Sequence, residues 1–153
     1  MTPTAFDVIR CLAGKSLATA ESITAGGIGA ALTAVPGASA VYKGGIISYC
    51  DQAKANLLSV PVAFLTTHGA VSAPVAQAMA MGAKKALNSD LAVAVTGLAG
   101  PGGDEFGHPV GTVFIGYADE TQAFAREYHF TGDRDSIRAQ TVEAALRLIL
   151  ENI

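Results

Sequence analysis

Short continuous apolar runs along this chain are interleaved with stretches whose apolar residues recur every three or four positions. The runs are the pattern of strands covered on both faces, and the three-to-four spacing is that of helices with one buried stripe. Residues 3–14 carry Phe6, Ile9 and Leu12 on such a stripe and predict a first helix. Leu17-Ala18-Thr19-Ala20 reads as a buried strand running into Glu21-Ser22. Thr24-Ala25-Gly26-Gly27 then turns the chain into a small-residue helix, roughly 25–34, which ends before Pro36-Gly37. Gly45 to Cys50 is the next strand, and Asp51 caps a helix over DQAKANLLSV. Ser72 caps a longer helix, about 73–88, with Val75, Met79, Ala83 and Ala86 on one face. Leu91 to Val95 is a fully apolar strand opening into a glycine-rich loop over 97–109. Val110–Tyr117 and Ala123–Phe130 form a hairpin, and a last helix, about 134–151, carries Val142, Leu146 and Ile149. The expectation is one α/β domain over 1–153, a three-layer α/β/α arrangement with a mixed sheet.

Composition narrows the classes. Half of the 153 residues are apolar, which excludes disorder, so the 17 glycines point to tight packing and backbone-lined loops. A formal charge of −3 argues against a general nucleic-acid binder but leaves room for a small anionic ligand held by backbone amides. Cys11 and Cys50 sit in no paired or metal-binding spacing, so reduced thiols and a cytoplasmic location are expected. The N-terminus does not read as a signal peptide, and no stretch approaches the about 20 apolar residues of a membrane span.

Three segments carry candidate chemistry. The first elbow, ATAESITAGG, places Glu21, Ser22 and Thr24 where a strand gives way to a helix, and Gly26 and Gly27 let a ligand approach the backbone. The same residues also suit a tight turn capped by Ser22 or Thr24. The second elbow, TGLAGPGG from Thr96 and Gly97 through Gly100, is neither a Walker A nor a dinucleotide fingerprint, yet it is too glycine-rich for a plain connection. A phosphate or nucleotide cradle is the expectation there. The third segment, PGASAVY followed by GIISYCDQAK, gathers Ser39, Ser48, Tyr49 and Lys54. A lysine serves as base when its pKa is depressed, and the first turn of a helix pushes it that way; a surface lysine is the simpler alternative. Asp104 and Glu105 read as solvated carboxylates, His68 as a turn residue, and Arg134 with Arg138 as guanidinium groups near a phosphate or as surface charge.

Taken in order, AESITAGG, TAVPGASAVYKGGIISY, QAK, LLSVP, HGAVS, DLAVAVTGLAGPGG, PVGTVFI and FTGDRDSIRAQTVEAAL resemble the CinA C-terminal domain family over almost the whole chain. The resemblance implies nicotinamide-nucleotide amidohydrolase activity, as in competence/damage-inducible proteins. The carboxamide of nicotinamide mononucleotide is cleaved to nicotinate mononucleotide and ammonia, in pyridine nucleotide recycling, without a metal or cofactor. It further implies a serine with lysine and tyrosine partners. Carried over by motif, these are Ser39 as preferred nucleophile, Tyr49 and Lys54, with Ser22 as oxyanion donor and alternative nucleophile. Thr24, Gly26, Gly27, Thr96, Gly97, Gly100 and Arg134 would bind the substrate. The chain departs from the family's ESCTGG by Ile23 and Ala25, which removes any cysteine nucleophile there, and from PGSSA by Ala38. Many members carry a further N-terminal domain resembling molybdopterin-binding proteins; with no such segment in this sequence, only the C-terminal activity is expected. A homo-oligomer is expected, with no membrane partner, and the competing reading is a non-catalytic nucleotide-binding regulatory module.

Overall fold

The computed structural model describes residues 2–153. Its strands are β1 (Leu17–Glu21), β2 (Tyr42–Ile47), β3 (Leu91–Gly97), β4 (Thr112–Ala118) and β5 (Ala123–His129). Its helices are α1 (Pro3–Cys11), α2 (Gly27–Thr33), α3 (Asp51–Leu58), α4 (Val62–His68), α5 (Ala73–Ala86) and α6 (Arg134–Glu151). The strands form one open sheet in the order β2-β1-β3-β4-β5. Leu17 of β1 pairs in parallel with Tyr42 on one side and Leu91 on the other. β4 and β5 add antiparallel, with Val95 opposite Ile115 and Ile115 opposite Arg126. This is the expected α/β domain with a mixed sheet.

Alternation along β3 explains the two helical layers. Leu91, Val93 and Val95 point to one face and pack with Val8 of α1, Ile28 of α2 and Leu146 of α6. Ala92 and Ala94 point to the other face, where with Ala18 and Ala20 they meet Leu58 of α3, Leu65 of α4 and Met79 of α5. Alanines on that face let α5 lie very close to the sheet. A Cβ on Gly116 of β4 would overlap the Ala76 carbonyl oxygen of α5. Gly82 of α5 likewise leaves room for the Leu58 carbonyl of α3, so α3 is clamped against α5 through backbone contact.

Several expected elements shift. α1 ends at Cys11, and its buried stripe is Ala5, Val8 and Ile9, continuing to Leu12, while Phe6 stands 44% exposed. At 3.6 residues per turn, a strict spacing of three drifts by about 60° per step, so Phe6 leaves the face that Leu12 occupies. β2 starts earlier and ends earlier than Gly45–Cys50, because Gly45 lies against Thr19 and the chain leaves the ladder after Ile47 to enter α3. Cys50, not Asp51, is the N-cap residue of α3. Helix α4 was not expected; it starts after Pro61 and buries only Leu65, too little for a periodic pattern. No helix among the described residues is long and apolar enough to cross a membrane.

Candidate active site

β1 leaves the sheet towards α2 on one face, while β2 leaves towards α3 on the other, which opens a crevice at the carboxyl ends of the strands. A cavity of about 250 Å³ lies there. Ser22 and Ile23 enter it from the end of β1, Tyr49, Cys50, Asp51 and Lys54 from the β2–α3 junction. Thr96, Gly97, Leu98, Ala99, Gly100 and Gly102 supply the wall at and beyond the end of β3, and Arg134 reaches in from the start of α6.

Lys54 is 2% exposed, although α3 as a whole is only weakly apolar. Its Nζ donates to the Ser48 carbonyl oxygen at 2.8 Å and to Ser22 Oγ at 3.1 Å. Burial lowers the Lys54 pKa, and the nearby Asp51 carboxylate partly opposes that shift. The depressing influence is therefore desolvation, not the helix terminus invoked from sequence, because Asp51 occupies the first turn with a carboxylate. A serine hydroxyl within hydrogen-bond reach of a buried amine is the arrangement of a nucleophile beside its base.

Ser39 lies elsewhere. It sits on the 3-10 turn Ala38–Ala40, beside Thr33, Pro36, Tyr42 and Lys43, in a groove that shares no lining residue with the cavity of Lys54. The turn precedes β2, whereas the cavity lies beyond its far end. Ser39 and Lys54 are neighbours in sequence separated by the length of a strand, and the structure brings Lys54 to Ser22 instead.

Tyr49 lines the cavity but is 61% exposed, and its hydroxyl accepts from Arg134 Nη2 at 3.0 Å; no hydrogen bond joins it to Lys54 among the described residues. Arg134 Nη1 donates to the Gly100 carbonyl at 2.8 Å, so this guanidinium ties the second elbow to Tyr49 using neutral acceptors only. Thr96 lines the cavity with its hydroxyl already donating to the Ala70 carbonyl, at 2.9 Å. Gly97 and Gly100 lie in the wall as expected.

The first elbow differs from its sequence reading. Thr24, Gly26 and Gly27 do not line the cavity. The Thr24 hydroxyl and the Gly26 N–H both donate to Glu21 Oε1, and the Gly27 N–H donates to the Thr24 carbonyl. The start of α2 is thus closed to a ligand anion by a carboxylate of the chain itself. The sequence places Glu21 in this elbow but not its carboxylate in the start of α2, because its partners lie up to eight positions ahead, beyond the range of local capping patterns. Arg138 donates to the carbonyls of Ile23 and Thr24 at 3.0 and 3.3 Å and so braces the elbow instead of facing a phosphate. Asp104 is held by the His108 ring at 2.7 Å, not free in solvent, and His68 ends α4 edge-on to Phe64. Among the described residues no group of three or more His, Cys, Asp or Glu is placed to hold a metal.

The family model of the CinA C-terminal domain matches residues 7–153. A CinA-like protein of Geobacter metallireducens is 52% identical over 133 residues, covering 87% of this chain and 32% of its own length. A CinA-like protein of Mycobacterium marinum is 47% identical over 143 residues, covering 93% and 34%. The chain therefore spans about a third of the length of the curated relatives it matches. Among solved structures, the competence damage-inducible protein A of Klebsiella pneumoniae superposes with a TM-score of 0.95 at 37% identity, covering 97% of this chain and 94% of the other. A competence-damaged protein (CinA) superfamily protein of Escherichia coli gives 0.96 at 35% identity, covering 98% and 88%. Motif order, fold and matched length agree, and the chain belongs to the CinA C-terminal domain family.

Proposed function

We propose that this chain hydrolyses the carboxamide of nicotinamide mononucleotide to nicotinate mononucleotide and ammonia, with Ser22 as nucleophile and Lys54 as base. The observation that carries the reading is the 3.1 Å contact between Lys54 Nζ and Ser22 Oγ at the floor of the cavity. A neutral Lys54 keeps one N–H on the Ser48 carbonyl and offers its lone pair to the Ser22 hydroxyl proton. Ser22 Oγ then adds to the carboxamide carbon. The carbonyl oxygen becomes the oxyanion, for which the N–H of Ile23 is the assigned donor, since the N–H of Ser22 is spent on the Val95 carbonyl at 3.1 Å. The C–N bond breaks as the proton passes from Lys54 to the leaving nitrogen, releasing ammonia. Water, deprotonated by the same amine, cleaves the acyl-serine and restores both groups.

Recognition falls to the opposite wall. Arg134 exchanges its neutral acceptors for the anionic phosphate, and Gly97 to Gly102 let the backbone approach the sugar. Tyr49, released from Arg134, is then the phenol among the lining residues that can serve the leaving nitrogen. Thr24, Gly26 and Gly27 support the turn and do not contact substrate in this reading, and Ser39 takes no part.

Ammonia release from nicotinamide mononucleotide by the wild type and by Lys54→Ala is the test. The wild type turns over, and the variant loses about 10³-fold or more in kcat, the range for removing a general base. A thermal-shift titration with the same nucleotide runs beside it. Binding without turnover by the wild type removes the hydrolase reading and leaves the nucleotide-binding module.

A further inference from the structure

The first elbow contains a buried carboxylate for which the reaction has no use. Glu21 is 2% exposed and lies outside the cavity lining. Its Oε1 accepts from Thr24 Oγ1 at 2.6 Å, Ile28 N–H at 2.8 Å and Gly26 N–H at 3.2 Å, and its Oε2 from Gly29 N–H at 3.0 Å. All four donors are neutral. Burying a charge on such terms is costly, and a Ser, Thr, Asp or Asn at position 26 could cap α2 locally instead. Gly26 stands there with no side chain to cap, at φ 99°, directly after Ala25 at φ 47°. A non-glycine residue such as Ala25 persists in the left-handed region where surrounding contacts over-determine the turn. The Glu21 carboxylate supplies those contacts.

The same residue reaches both members of the reacting pair through the backbone. Ser22 follows it directly, and the Glu21 carbonyl accepts from Ser48 N–H at 2.9 Å. Ser48 in turn presents the carbonyl that holds Lys54 Nζ at 2.8 Å. We infer that Glu21 is a positioning residue: its carboxylate, anchored in the start of α2, holds the turn that sets Ser22 Oγ against Lys54 Nζ. The inference rests on the Ser22 nucleophile of the proposed reaction but does not depend on which amide is cleaved.

The experiment compares wild type, Glu21→Gln and Glu21→Leu in the full chain, with folding checked by circular dichroism and Tm. Two rates are read. One is ammonia release, resolved into kcat and KM. The other is phosphonylation by an alkyl fluorophosphonate, with the labelled residue located by mass spectrometry. In that step the Ser22 Oγ–P bond forms, the P–F bond breaks, fluoride leaves and the hydroxyl proton passes to Lys54. A displacement of about 1 Å at reacting groups costs on the order of 10²-fold in rate. Glu21→Leu is expected to lose about that much in kcat and in labelling rate. Glu21→Gln keeps an acceptor for part of the set, and about a tenfold loss is expected, between wild type and Glu21→Leu. KM stays within about twofold, because Glu21 does not line the cavity. A folded Glu21→Gln with wild-type kcat and labelling rate overturns the inference, as does a loss confined to KM. If Glu21→Leu does not fold, Glu21→Gln decides alone. A wild type labelled at Ser22 that releases no ammonia sinks the amide reading, and the labelling series still tests Glu21. A wild type neither labelled at Ser22 nor active sinks both.

Discussion

Lys54 is held in two conflicting roles, as a buried side chain in a packed helix and as a titratable amine at the floor of a cavity. Its folded-state pKa is depressed by burial from the usual value near 10.5. Between the two values the unfolded chain binds more protons than the folded one, so this group's contribution to stability increases as pH rises through that window. Lys54→Met removes the desolvation cost and should raise Tm at pH 7, with the advantage shrinking as pH approaches 10. About 1 kcal/mol would read as roughly 2–4 °C for a chain of this size. The same depression predicts that kcat/KM of the wild type rises with pH along a limb set by Lys54 deprotonation, below the pH expected of a free lysine. Ala25 offers a separate check. At φ 47° it holds a left-handed conformation that glycine adopts freely, so Ala25→Gly should leave Tm unchanged or raise stability by up to about 1 kcal/mol. The residue types of the site were legible in sequence, but their pairing was not. Ser22 and Lys54 stand 32 positions apart, and only the adjacency of β1 and β2 joins them. The family motif PGSSA pointed to Ser39 as the partner, but a whole strand lies between it and Lys54.

At the scale of elements, the best-read segments were those whose pattern is enforced by packing. α6 was legible to its ends because Asp133 caps it, its side chain accepting from Ser136 N–H at 2.9 Å, and Leu146 and Ile149 are buried along it. β3 was legible because both its faces are covered, which requires the continuous apolar run. α4 was not legible, since seven residues with one buried side chain carry no period. β2 was misplaced by several residues because Gly45 answers to close approach by Thr19, a tertiary contact with no local signature. The clamp between α3 and α5 is equally invisible in sequence and makes a sharp prediction. Gly82→Ala places a methyl against the Leu58 carbonyl, which neither helix can yield without moving. A loss of about 1–3 kcal/mol is expected from chemical denaturation, and because α3 carries Lys54, a fall in kcat should accompany it. Wild-type stability in that variant would show that the two helices are free to slide.

At the scale of the whole molecule, the mixed sheet separates structural and chemical duties. The face packed by α1, α2 and α6 holds the bulky residues, and the alanine-rich face lets α5 and α3 approach closely enough to bury a lysine. All the cavity-lining residues except Arg134 arise at or just beyond the carboxyl ends of β1, β2 and β3 or ahead of α5, which is why strand order decides which serine meets Lys54. The two glycine elbows accordingly divide their work. The second lines the cavity, whereas the first is filled by Glu21 and serves to present Ser22. The central claim is that Ser22, and not Ser39, breaks the amide bond. It is tested most directly by kcat for ammonia release from nicotinamide mononucleotide, measured on Ser22→Ala and Ser39→Ala side by side. The account predicts a fall of about 10⁴-fold or more for Ser22→Ala and a value within about twofold of wild type for Ser39→Ala. Retained turnover in Ser22→Ala, or its loss in a folded Ser39→Ala, would contradict it.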